Sequence, residues 1–94
     1  MDKIEKLHMM EKMIREIGDI SNSQTSLLKK ITQLEADNIN LGNRLLEQKL
    51  PNIHSMIDDG LTEVNKLQTE FTDVKDKFVK DNKLDEVLPD STAS

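Results

Sequence analysis

The chain has 94 residues, of which 35% are hydrophobic and 33% charged, with a formal net charge of −5, two Phe, no Trp, no Tyr and no Cys. A lone domain of this size leans on aromatics, disulfides or a metal, and without cysteine both disulfides and cysteine lipidation are excluded. Three Gly and two Pro are too few turn residues for a multi-stranded β fold, so the composition points to an all-α chain built of long helices.

The first predicted element is a coiled-coil helix over residues 1 to 49. With position a placed at residue 10, the a and d positions are Met10, Met13, Ile17, Ile20, Gln24, Leu27, Ile31, Leu34, Asn38, Leu41, Leu45 and Gln48, nine of twelve apolar; the overall composition would supply roughly four. Residues 18 to 26, "GDISNSQTS", are rich in side chains that compete with helix hydrogen bonds. The heptad phase agrees on both sides of them, so they are expected to be helical but weak, a hinge rather than a loop.

The second predicted element is a coiled-coil helix over residues 50 to 83. Its a and d positions are Leu50, Ile53, Ile57, Gly60, Val64, Leu67, Phe71, Val74, Phe78 and Asp81, eight of ten apolar. This frame begins two residues earlier than the first would allow. At roughly 100° per residue its stripe falls on nearly the opposite face of a continuous helix. Pro51 stands at the change of phase, lacks a backbone donor and crowds the carbonyl of Glu47. Either the chain folds back near residues 49 to 52 as a hairpin, with Asn52 capping a new helix, or it continues as an elongated rod kinked at Pro51. The lack of a Gly near residue 49 to end a helix favours the bent rod. Residues 84 to 94 lose the pattern, gain Pro89 and are expected to form a disordered acidic tail.

Asn38 occupies an inward a position. One reading is an amide that pairs with its own copy and fixes the register of a parallel dimer; the other is a half-exposed polar residue in a mixed bundle. Leu7, Ile14, Leu28 and Leu61 at e widen the stripe towards that of a multi-helix bundle. The N-terminal stretch also carries Ile4 on that face. On the hairpin alternative a short second arm leaves this stretch uncovered, which implies another chain. Its Lys3, Lys6, Lys12 and Arg15 are balanced by Asp2, Glu5, Glu11 and Glu16, so a partner helix suits it better than a membrane surface.

Glu5 and His8 form half of a di-iron signature, but His54 lacks the matching Glu, so both are read as solvated surface. Asp58, Asp59 and Glu63 lack the spacing of a calcium loop. With no phosphate loop, no nucleophile beside a histidine and no ligand cluster, no enzymatic activity, cofactor, metal or small-molecule substrate is expected. Nucleic acid is not an expected partner either: residues 1 to 49 carry eight Lys/Arg against eight Asp/Glu, and residues 50 to 94 five against ten, whereas phosphate binding needs clustered cations. No apolar run approaches a membrane span and no signal-type stretch opens the chain. Direct membrane insertion is therefore not expected, and a cytoplasmic or nuclear setting is.

The expected function is that of a structural subunit in a hetero-oligomeric coiled-coil complex, with the two seams as its sites and helical subunits, or itself, as partners. In size, composition and heptads the chain is similar to the small all-helical subunits of organelle-biogenesis, vesicle-tethering and kinetochore or microtubule-attachment complexes. A homo-oligomerisation module, such as the multimerising segment of a viral phosphoprotein or a scaffold, is the first alternative. A SNARE-like helix with Gln24 or Gln48 as its polar layer is the second.

Overall fold

The computed structural model describes residues 1 to 86. Two long helices, α1 (Lys3–Leu41) and α2 (Arg44–Asp81), are followed by a single 3-10 turn, Leu84–Glu86. The described residues contain no strand. The expected all-α rod of two long helices is found, with extents of 62 × 21 × 18 Å.

The rod is a hairpin and not a bent single helix. End to end, two helices of 39 and 38 residues would span well over 100 Å at ~1.5 Å per residue, whereas one of them alone spans about 58 Å. The observed length is that of one arm. Residue pairs brought together from opposite arms, Ser21 with Asn65 and Glu35 with His54, confirm the antiparallel arrangement.

Reversal occurs at Gly42 and Asn43, well before the phase change at Pro51. Gly42 adopts the left-handed conformation (φ 68°, ψ 32°) and its N–H donates to the Asn38 carbonyl, the geometry that ends a helix most readily when no Cβ is present. Asn43 is extended, and its side chain accepts from the Leu46 N–H at 3.1 Å, which satisfies one of the donors left unpaired at the start of α2. Leu41 and Leu45 had continued the first heptad frame across this turn by coincidence of spacing.

Pro51 lies inside α2. The hydrogen bond it withholds is the one to the Glu47 carbonyl. Both residues are exposed, on the side where water can serve that carbonyl.

At the other end of α1, Asp2 forms a capping box: its carboxylate accepts from the Glu5 N–H at 2.8 Å while Glu5 Oε1 accepts from the Asp2 N–H. The two arms are nearly equal in length, so the N-terminal apolar stretch does not protrude as a short second arm would require. Leu7 is the most deeply buried residue described. The helix continues without interruption through residues 18 to 26. Leu84, placed at the edge of the expected tail, is buried by the 3-10 turn that follows α2; residues 87 to 94 of that tail lie outside the described residues.

Candidate interaction surface

The seam between the arms is built from the a and e rows. In α1 the inward residues include Leu7, Ile14 and Leu28 from e and Met10, Ile17, Ile31 and Asn38 from a; in α2 they include Leu50, Ile57, Val64, Phe71 and Phe78 from a and His54, Leu61 and Gln68 from e. Apolar e residues had signalled a widened stripe. They are instead one of the two core rows.

Two ends of the seam are dry and the middle is polar. The buried residues are Leu7 and Leu84 at the open end, and Asn38 and Leu50 near the turn. Between them Ser21 Oγ donates to Asn65 Oδ1 at 2.6 Å. On either side of that bond stand two matching arrangements. Gln68 lies against Gly18 and donates to the Ile14 carbonyl at 3.4 Å, and Gln24 lies against Gly60 and donates to the Ile57 carbonyl at 3.5 Å. A Cβ added at Gly18 would meet the Gln68 amide at 2.9 Å, and one at Gly60 would meet the Gln24 amide at 2.7 Å. Each glycine thus clears space for a glutamine that crosses the seam. The polar stretch at residues 18 to 26 supplies these cross-seam contacts while remaining helical.

Asn38 is resolved differently from either expectation. It is 4% exposed, its Nδ2 donates to the Asn43 carbonyl at 3.1 Å, and its Oδ1 accepts from the Asn43 N–H at 2.9 Å. The amide therefore closes the hairpin turn within its own chain. Near it, Glu35 Oε1 and His54 Nδ1 are 2.6 Å apart, both about one-third exposed. Further ion pairs, Glu63 with Lys66, Lys75 with Asp76 and Lys77 with Asp81, join neighbours on α2 and contribute little.

The d rows point away from the seam. Met13, Ile20, Leu27, Leu34 and Leu41 on α1, and Ile53, Leu67 and Val74 on α2, are between 40 and 72% exposed. Of the expected seam residues, Met10, Ile17, Ile31, Asn38, Leu50, Ile57, Val64, Phe71 and Phe78 face the partner arm; the d-row residues and Leu45 do not.

These outward rows share one flank. A half-turn about the line normal to both arms exchanges α1 for α2, reverses direction and leaves front as front, so equivalent rows of an antiparallel pair border the same side. Ser21 opposite Asn65, Gly18 against Gln68 and Glu35 opposite His54 bring Met13 to within one or two residues of level with Val74, and likewise Ile20 with Leu67, Leu27 with Gly60 and Leu34 with Ile53. The other flank carries Gly18, Thr25, Asp58, Asn65 and Thr72 and is polar along its middle, with Ile4 and Val79 towards the open end and Ile39, 83% exposed, beside the turn. The expectation of two stripes facing opposite ways is corrected by the hairpin, which folds them onto one another and leaves one flank apolar along its length. Met9 and Met56, also exposed, lie one helical turn from Met13 and Ile53 and broaden it.

Chemistry-bearing groups do not converge in the same way. Among the described residues no three His, Asp or Glu side chains are grouped as a metal site requires, and no helix is long and apolar enough to cross a membrane. A shallow depression of about 200 Å³ beside the turn is lined by Ile39, Leu46, Leu50 and Pro51 together with Glu35, Asn38 and Glu47. Glu5 is engaged in the capping box, where the Glu5 N–H holds the Asp2 carboxyl below its usual range. Comparison with protein-family models, with curated proteins and with solved structures finds no match to this chain.

Proposed function

We propose that the protein is a non-catalytic structural subunit of a coiled-coil assembly, and that its apolar flank receives helices from other polypeptide chains. The supporting observation is the set of heptad-spaced apolar residues left exposed on one side of a hairpin whose a and e rows already face the other arm. A helix that serves only its own hairpin needs one apolar stripe, and a second stripe bordering the first is what a helix carries inside a bundle of more than two. Burial of these side chains against partner helices, at roughly 25 cal/mol per Å² before ordering is subtracted, would supply the binding energy. The protein would then act by geometry, as a spacer or joint among helical subunits in the cytoplasm or nucleus. Assemblies for organelle biogenesis, vesicle tethering or cytoskeletal attachment are the settings that such a part fits.

Because both d rows border one flank, Leu34→Asp and Leu67→Asp are expected to release the same stoichiometric helical companion when a tagged copy is purified from its native source, with helical content by circular dichroism preserved. Release of different companions, or of none, would overturn the single-flank reading.

A further inference from the structure

We infer that the flank is covered by a second copy of this chain, giving a four-helix bundle with both turns at the same end. The inference rests on the proposed reading of the flank as a helix-docking surface and names its occupant.

Three observations point to self-pairing. The first is area. Eight large apolar side chains of the d rows, 40 to 72% exposed, run along one side of a rod with extents of 62 × 21 × 18 Å, a face ample for the ~800 Å² that each partner commits to a standard interface.

The second is register. The α1 row and the α2 row of one hairpin are already level to within one or two residues, through the pairs Met13/Val74, Ile20/Leu67 and Leu34/Ile53. A copy related by a two-fold axis along the rod sets each α1 row on the other chain's α2 row with that same match at every layer. Leu27 then lies over Gly60 of the other copy, beside the Gln24 amide that fills the space of its absent Cβ. With the turns at opposite ends, α1 would lie on α1 and α2 on α2, and the contact of Leu27 with Gly60 of the other copy is lost.

The third is charge. The chain carries −5, yet the residues bordering the flank are mixed, Lys30, Lys49 and Lys77 beside Glu16, Asp37, Glu63 and Glu70. An acidic chain can approach itself along this side without facing a surface of one sign.

The test uses the full chain, which lacks cysteine, so single cysteines report cleanly. Light scattering of the purified protein should give twice the monomer mass. Ile20→Cys and Leu67→Cys chains, mixed and oxidised, should form a disulfide-linked mixed dimer, whereas Ile20→Cys alone should not cross-link. The double variant Ile20→Glu/Leu67→Glu should raise the dissociation constant at least tenfold while keeping its helical circular dichroism.

A helical monomer at high concentration would overturn the inference; if Leu34→Asp and Leu67→Asp still release a companion, the docking reading stands without it. A dimer in which neither cysteine mixture cross-links and the glutamates have no effect overturns both. Self-cross-linking of Ile20→Cys rejects the shared-end arrangement. Should the glutamate variant fail to fold, the cysteine mixture decides alone.

Discussion

Asn38 shows how a polar residue on an apolar row can be fully satisfied by its own chain. Its amide holds both backbone groups of Asn43. Asn38→Leu would keep the volume but remove the acceptor of the Asn43 N–H beside the turn, while the Asn43 carbonyl keeps the Glu47 N–H, so urea unfolding should show a loss of about 1 kcal/mol. An interchain amide pair would give the opposite sign, since leucine there tightens a dimer seam. Gly42 stands in open space, with no atom within 4 Å of an added Cβ, so Gly42→Ala meets only the backbone penalty of the left-handed region, about 1–2 kcal/mol. Gly18 is the contrasting case. Alanine gains about 0.5–1 kcal/mol over glycine inside a helix, yet the Cβ would displace Gln68 from Ile14. Gly18→Ala should therefore stabilise only in a Gln68→Ala background, and a double-mutant cycle measured by thermal unfolding reads that coupling.

For the helices as units, the periodicity disclosed nearly everything except which row goes where. Their existence and the continuity through residues 18 to 26 follow from heptads that keep one phase across that stretch. The turn was also present in the sequence, as Gly42 followed by Asn43, a helix stop next to a helix start. It was obscured because Leu41 and Leu45 extend the old frame while Pro51 draws the eye to the phase change. Dividing the a and d rows into one buried and one exposed set was not readable from spacing, because a heptad pattern describes a stripe and not the number of neighbours it meets. The apolar e residues Leu7, Ile14, Leu28 and Leu61 were the available sign. At the start of α1, the Asp2 carboxyl is lowered chiefly by the Glu5 N–H. A group depressed in the folded state adds stability above its unfolded range and loses it as pH falls. The protection of the Glu5 amide, its exchange rate relative to that of an unstructured peptide at the same pH, should therefore be constant through neutral pH and fall on acidification below the ordinary aspartate value of about 3.9, a fall that Asp2→Ala should abolish.

At the level of the whole molecule, stability and association are linked. If the folded hairpin pairs and the unfolded chain does not, the midpoint of thermal unfolding rises with protein concentration by mass action. Over a hundredfold dilution series the wild-type midpoint should move, and that of Ile20→Glu/Leu67→Glu should stay fixed. A wild-type midpoint independent of concentration would count against any self-paired fold. Equal arms carry one more consequence. Asp2 and Asn82 sit at one pole and Gly42 at the other, so dyes attached at positions 2 and 82 would report close proximity, and either paired with position 42 would report a separation of nearly the full 62 Å. Anything fused to the N-terminus or attached just after α2 departs from that first pole and leaves the bend unencumbered, so the object has a head and a tail, and a cargo tethered to it is held at a fixed standoff from whatever grips the bend.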